Sequence, residues 1–211
     1  MSYSILAPFG PKIYRSKVNE SIFDLLLQLS EEKRNMFTDA TLKTTGYTNG
    51  AFLTIENYRH YNDFYDEIKI HILNYIQGLN NKLDIPTVQM ELSNRAWVNF
   101  QRPDDFNSMH THQESAISIV VYLKVPEEIS IENTKWNAPN QPKLGMIEFA
   151  YGSQGTFCDS TYAILPQVGD IILFPSNIMH QVYPFKSNVE RWSINFNISS
   201  LHFSEIAEQE E

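Results

Sequence analysis

The sequence of 211 residues has a single cysteine, no long apolar run and fewer basic than acidic side chains. Cys158 cannot form a disulfide within the chain, and one thiol cannot build a Cys-based zinc site. No apolar run approaches the roughly 18 residues that a membrane-spanning helix needs. The first residues also lack the basic and apolar regions of a secretory signal. We therefore expect a soluble, cytoplasmic protein without a membrane partner.

The formal net charge is -9, with 16 Lys and Arg against 25 Asp and Glu. This balance argues against the broad basic surface that grips a nucleic-acid backbone, so no nucleic-acid partner is expected. The hydrophobic fraction of 42% and the aromatic fraction of 13% are ordinary for a globular protein. A chain of this length suits one domain with a sizeable core.

The N-terminal part of the chain has a helical pattern. Asn19 or Ser21 is placed to cap a helix over residues 22–33, and apolar residues recur every three or four positions over residues 58–79. After Pro86 the pattern changes to short runs of β-forming residues separated by turn sequences. The runs cover residues 88–92, 96–100, 117–125, 146–150, 171–174, 181–183 and 192–198.

Seven short strands with no helices predicted between them indicate a β-sandwich or jelly roll. The predicted fold is mainly β with flanking helices: a cupin-like jelly roll, or double-stranded β-helix, with N-terminal helices packed on it. We expect one domain over residues 1–204, with mostly helical support in 1–86 and the jelly-roll core in 87–200. Residues 205–211 are predicted to form an acidic tail.

Potential metal ligands alternate along one short segment. His110, His112 and Glu114 are two residues apart, and an extended chain points such side chains to one face. His180 lies far along the chain, at the end of another strand-like run. A close pair of ligands followed much later by one His is the sequence form of the facial triad, in which two His and one carboxylate hold Fe(II) with open positions.

Two ligand sets are compatible with this spacing. In the first, His112 and Glu114 form the His-x-carboxylate pair, and the carboxylate offsets the charge of the metal. In the second, His110 and His112 both bind, which gives a three-His site with Glu114 as an additional ligand or as an outer partner of one. We slightly favour a site that includes Glu114.

In these motifs and in their order along the chain, the sequence resembles the jelly-roll 2-oxoglutarate and Fe(II)-dependent oxygenases. It is most similar to a bacterial and phage branch in which a Trp-x-Asn strand leads into a His-x-His motif. The resemblance runs from about residue 95 to 198, although Gln113 stands where this branch usually has Pro. The matching segments are 97–99, 110–112, 118–123, 169–175, His180 and 190–197.

The resemblance also implies a binding site for 2-oxoglutarate. A basic residue about as far past the distal His as Arg191 is expected to bind the far carboxylate of the cosubstrate, because an Arg fork matches a carboxylate bidentately. Ser193 would be a second donor, and the hydroxyl of Tyr122 would reach the same carboxylate. Three inward polar side chains are expected either to contact the cosubstrate or to satisfy the core: Asn99, Asn195 and Asn197. No catalytic group beyond the metal ligands is expected.

The implied activity is that of a dioxygenase that uses Fe(II), 2-oxoglutarate and O2 to hydroxylate an unknown small-molecule or peptide substrate, releasing succinate and CO2. One alternative is a cupin-like metal dioxygenase with three His ligands and no keto acid. Another is a non-catalytic jelly-roll binding module. The predicted substrate-recognition loops are 38–54, 127–143 and 152–162. The oligomeric state cannot be read from the sequence, and a homodimer is compatible with it. The resemblance to a branch with phage members is compatible with a location in the cytoplasm of a phage-infected cell.

Overall fold

The computed structural model describes most of the chain. The described residues are 3–6, 10–36, 49–53, 61–79, 87–93, 96–135, 143–156 and 159–204. Cys158, the predicted acidic tail and most of the predicted loop 38–54 lie outside these residues.

The described residues form three helices, and two of them were predicted. Helix α1 spans Glu20–Met36, α2 spans Tyr61–Leu79 and α3 spans Glu127–Thr134. The predicted cap of α1 is confirmed, because the Asn19 side-chain oxygen accepts the Ile22 amide at 3.0 Å. The third helix was wrongly predicted as loop. Its two isoleucines are two residues apart, so one is buried and the other exposed, and the segment shows no apolar stripe.

The strands form two antiparallel sheets. The larger sheet contains β1 (Tyr3–Leu6), β2 (Ile13–Lys17), β3 (Asn49–Leu53), β4 (Thr87–Leu92), β5 (Ala96–Gln101), β7 (Ile117–Lys124), β10 (Asp170–Pro175) and β12 (Arg191–Ser204). The smaller sheet contains β6 (Asn107–His110), β8 (Ile147–Ala150), β9 (Thr161–Ile164) and β11 (Met179–Val182).

The larger sheet has the order β1-β2-β10-β7-β12-β5-β3, with β4 also paired to β12, and the smaller has the order β6-β11-β8-β9. This is the predicted mainly-β, double-stranded β-helix fold with few helices. Strands β1 to β3 come from the part predicted as mostly helical support. The division of the chain into one domain and a tail stays a prediction.

The larger sheet has two chemically different faces. On β12, Trp192, Ile194, Phe196 and Ile198 belong to the apolar core that also contains residues of α1 and α2. The alternate residues on β12 point the other way, because neighbouring side chains on a strand alternate between faces. Each fully buried Ile of this core contributes about 1.5–3 kcal/mol. The helices therefore cover the outer face of the sheet, while the inner face carries polar side chains on β5 and β12 and apolar side chains on β7 and β10.

The helical layer includes one polar network. Glu67 of α2 accepts the backbone amide of Asn19 at 2.9 Å and its side-chain amide at 3.0 Å, and it also contacts His71. These contacts tie the start of α1 to α2. Among the described residues, no helix is both long and apolar enough to cross a membrane.

Candidate metal centre

Three imidazoles meet at one end of the space between the sheets. His110 ends β6 and is directly opposite His180 on β11, while His112 follows β6 by two residues. One ring nitrogen from each lies within 4.8 Å of the others. The ring centroids are 4.3 Å apart for His110 and His180, 5.1 Å for His112 and His180, and 5.2 Å for His110 and His112. Such a group can hold a metal ion.

Backbone carbonyls orient two of these rings. The Nδ1 of His110 lies 2.6 Å from the Ser108 carbonyl oxygen, and the Nδ1 of His180 lies 3.0 Å from the Ile178 carbonyl oxygen. A carbonyl only accepts, so both Nδ1 atoms carry the proton and donate it. In the neutral rings the Nε2 lone pairs are then available for a metal, the arrangement that second partners of metal-binding His normally impose.

The surroundings keep two of the rings neutral. Burial, together with neighbouring His110, lowers the pKa of His180 to about 3, and the same causes lower the pKa of His112 to about 4. Phe174 packs edge-on against His180 with centroids 4.7 Å apart. Since a metal competes with protons for imidazole nitrogens, neutral rings at pH 7 favour metal binding.

Glu114 is not part of this group. It is exposed, lies in a turn and has a φ of 61°. The alternation predicted for His110, His112 and Glu114 fails because β6 ends at His110 and the chain then bends. Among the described residues the metal-binding group contains the three imidazoles, so the structure brings the three-His set together and leaves Glu114 outside it.

The predicted cosubstrate residues line the same pocket as the imidazoles. Arg191, Ser193, Tyr122 and Asn99 all face it from β12, β7 and β5. The register places Ser193 opposite both Asn99 and Tyr122. The two groups of predicted site residues therefore share one space between the sheets.

Arg191 is a buried cation. It is 3% exposed, and its guanidinium lies 5.4 Å from the centre of the Tyr122 ring. One terminal nitrogen donates to the Gly145 carbonyl oxygen, whereas Nε has no hydrogen-bond partner. Burial lowers the pKa of Arg191. No carboxylate of the described residues forms an ion pair with it, which is unusual because buried charges are normally paired.

Gly145 supports Arg191, and sequence reasoning did not single it out. It has a φ of +66°, and a Cβ there would lie 2.5 Å from Cγ2 of Ile129 in α3. Only glycine fits both the backbone conformation and the close approach. Its amide donates to the Pro184 carbonyl oxygen at 3.0 Å, which fixes the turn that presents the acceptor to Arg191.

Residues 95–197 match the model of the family described as "Putative 2OG-Fe(II) oxygenase". This part of the chain belongs to that family. The match covers β5 to β11 and the first half of β12, and it includes the three imidazoles and Arg191. No curated protein sequence matches the chain.

Solved 2OG-Fe(II) oxygenases and similar proteins share the fold. A prolyl-4-hydroxylase from Pseudomonas putida is 17% identical, with 93% of this chain and 91% of that chain covered and a TM-score of 0.52. HygX from Streptomyces hygroscopicus, solved with nickel and 2-oxoglutarate bound, is 9% identical over 88% of this chain and 81% of that chain, with a TM-score of 0.54. AviO1 from Streptomyces viridochromogenes is 12% identical over 92% and 90%, with a TM-score of 0.55.

Residues 95–197, which contain the three imidazoles and Arg191, therefore belong to the 2OG-Fe(II) oxygenases, a family of oxidoreductases that use Fe(II) and 2-oxoglutarate. The donor set in this chain fits an iron ion, since imidazole nitrogen is a normal ligand for Fe(II). Membership in an enzyme family also argues against the alternative of a non-catalytic binding module.

Proposed function

We propose that the protein is an Fe(II)- and 2-oxoglutarate-dependent dioxygenase that hydroxylates a small-molecule or peptide substrate and releases succinate and CO2. The observation that carries this proposal is Arg191, a buried cation with no acidic partner among the described residues, in the same pocket as the three imidazoles. A pocket that holds an unpaired cation is prepared for an anionic ligand.

His110, His112 and His180 would hold the iron through one ring nitrogen each. The bound iron would supply the activation of O2. Three neutral ligands leave the charge of a divalent ion uncompensated by the protein. The centre therefore favours negatively charged oxygen donors from the cosubstrate in its remaining positions.

Arg191 would anchor the far carboxylate of 2-oxoglutarate. Its Nη1 is committed to Gly145, so the other guanidinium nitrogens remain for the ligand. Burial raises the pKa of Tyr122, which keeps its hydroxyl protonated and able to donate. Ser193 and Asn99 would add donors from the neighbouring strands. Binding a carboxylate here pairs a charge whose burial is costly on its own.

Apolar side chains close the pocket around the imidazoles. Ile147, Phe149 and Phe174 are each at most 3% exposed and pack in one cluster between the sheets. They limit the access of water to the His180 ring and strengthen electrostatic interactions around it. A dry pocket would protect the reaction from solvent and hold the substrate close to the iron.

The three-His set also favours a second candidate, a metal dioxygenase that uses no keto acid. The two candidates differ in what they require of Arg191. In the first it binds the cosubstrate, and in the second it has no role in oxygen use. The cytoplasmic location and a homodimer stay predictions.

The test is anaerobic titration of the protein with Fe(II) and 2-oxoglutarate, followed by the visible charge-transfer band that arises when keto acid chelates iron. We expect this band, and succinate release on admitting O2. We expect Arg191→Met to weaken 2-oxoglutarate binding by about 100-fold, since a buried charge-assisted pair is worth roughly 2–5 kcal/mol. Lys186→Met, which removes an exposed cation, is the matched control.

Iron-loaded protein that shows no band, and that oxidises nothing in the presence of keto acid, would count against the proposal. Oxygen uptake that needs no keto acid and is unchanged in Arg191→Met would support the second candidate instead.

A further inference from the structure

The three imidazoles of the centre are not held in the same way. Backbone carbonyls anchor His110 and His180, whereas the Nδ1 of His112 lies 3.1 Å from the side-chain amide nitrogen of Asn197. The His112 ring also stacks on Trp97, with centroids 5.4 Å apart and an angle of 24° between the planes. His112 is thus the ligand whose orientation depends on side chains, which substitution can change.

The hydrogen bond between Asn197 and His112 determines which nitrogen of the His112 ring carries the proton. The Asn197 amide nitrogen donates to Nδ1, so a neutral ring carries its proton on Nε2. In that form Nε2 has no lone pair for a metal. Binding through Nε2 requires the proton to move to Nδ1, and an Nδ1–H group then needs an acceptor.

Asn197 itself provides that acceptor. Its Oδ1 is buried and has no hydrogen-bond partner. Rotation about the Cβ–Cγ bond exchanges the positions of the amide oxygen and nitrogen, which places Oδ1 against Nδ1 without moving the strand. One residue can therefore hold His112 in both forms, as a donor without metal and as an acceptor with metal.

We propose that Asn197 is a positioning residue that fixes His112 as the third metal ligand and turns its amide from donor to acceptor when the metal binds. The proposal rests on the three-His site of the proposed function. It explains how a neutral imidazole is held at the position where a two-His, one-carboxylate centre has its acid. Trp97 restricts the tilt of the ring, and Asn197 sets its rotation within that plane.

Substitution of Asn197 separates its hydrogen bonding from its packing. Asn197→Leu keeps the volume but removes the acceptor, and we expect about 10-fold weaker Co(II) binding, within the range for outer partners of metal ligands. Asn197→Asp keeps an acceptor, and its charge favours the Nδ1–H form, so we expect Co(II) binding at least as tight as in the wild type. The visible spectrum of bound Co(II) should change in the Leu variant and be restored in the Asp variant.

Asn195→Leu is the matched control. Asn195 lies two residues earlier on the same strand face, but its side-chain nitrogen donates to the Trp97 carbonyl oxygen at 3.2 Å. We expect its Co(II) affinity to equal that of the wild type. Thermal unfolding of each apoprotein shows whether a variant is folded before its affinity is compared.

The wild type provides an independent test through ¹⁵N NMR of its histidine rings, with and without Zn(II). We expect the His112 proton on Nε2 in the apoprotein and on Nδ1 in the Zn(II) form. The proposal is overturned if His112→Ala loses Co(II) binding while Asn197→Leu binds with wild-type affinity and spectrum, or if the His112 proton stays on Nε2 with Zn(II) bound. If the wild type binds no Co(II), or if His110→Ala binds it equally well, the metal site of the proposed function fails together with this proposal.

Discussion

Two buried histidines of this protein lie in environments that differ in one respect. His71 of α2 is fully buried, with Nδ1 2.8 Å from the Tyr14 hydroxyl and Nε2 3.1 Å from a carboxylate oxygen of Glu67. His180 is 4% exposed and has one ring nitrogen on the Ile178 carbonyl, while its ring lies against two other imidazoles. His71 uses both ring nitrogens within the scaffold, and His180 keeps one for a ligand.

The pKa does not separate the two histidines. Burial lowers the pKa of His71 as it lowers that of His180, although Glu67 acts in the opposite direction on His71. What differs is the hydrogen-bonding capacity that remains after protein partners are counted. Buried polar groups of a scaffold are normally satisfied, so a buried group with unused capacity indicates a ligand site.

The largest expected effect is the loss of His180. In His180→Ala the metal loses a direct ligand, so affinity for Co(II) or Fe(II) should fall by more than about 100-fold, beyond the range for outer partners. Keto-acid-dependent succinate release should disappear. Stability should change little, because a side chain that makes one hydrogen bond to the backbone is removed from a pocket. Metal titration and urea unfolding of the apoprotein measure both quantities.

The opposite pattern is expected for His71. His71→Leu removes one hydrogen-bond partner each from the Tyr14 hydroxyl and the buried Glu67 carboxylate, which should lower the free energy of unfolding by about 1–3 kcal/mol. Metal affinity of the folded protein should be unchanged. His202→Leu, at an exposed position on β12, is the control and should affect neither quantity. A His71 variant with normal stability and weakened metal binding would contradict the conclusion that His71 serves the scaffold and His180 the metal centre.

Much of the scaffold follows from periodicity. The helical repeat before Pro86 and the short β runs after it predict α1, α2 and seven of the strands, because apolar residues with a period near four or two must bury one face. The pattern on β12 is another example of a period of two, with apolar side chains at Ile194 and Phe196 on one face and a polar side chain at Ser193 on the other. Even the distant pairing of His110 with His180 was indicated by their places at strand ends.

The failures have local and tertiary causes. Glu114 was expected in the site because the extended pattern was continued past His110, and the turn that ends it depends on a positive φ that no simple motif announces. The helical pattern over residues 58–79 predicted the helix that contains His71 but gave no sign that this side chain is buried. Its burial depends on Tyr14, which is far away in sequence, and no local pattern reveals that partner. Gly145 was missed for the same reason, whereas Asn197 was expected as an inward polar group but not as the partner of His112.

Glu190 and Arg191 are adjacent residues that differ as His71 and His180 do: one is paired within the scaffold and the other is left for a ligand. Substitution of Glu190 is expected to have the smallest effect. Glu190 accepts hydrogen bonds from Arg34 at 2.8 Å, Trp192 at 3.1 Å and Arg102 at 3.2 Å, whereas Arg191 has no acidic partner in the described part of the chain. Partial burial alone would raise the pKa of Glu190, but these donors lower it to about 2. The charge therefore adds stability above pH 4.5, its ordinary pKa, and this contribution is lost as the pH falls towards 2.

Glu190→Gln should reduce the free energy of unfolding at pH 7 by about 1 kcal/mol, the size typical of partly exposed ion pairs. The difference from the wild type should shrink as the pH is lowered from 5 towards 2, because the wild-type carboxylate is then protonated as well. Urea unfolding at several pH values measures this difference. 2-Oxoglutarate affinity should stay near the wild-type value, since Glu190 stabilises the scaffold while its neighbour Arg191 binds the ligand. If the difference in the free energy of unfolding does not depend on pH, or if 2-oxoglutarate binding is largely lost, then Glu190 and Arg191 do not have the separate roles described here.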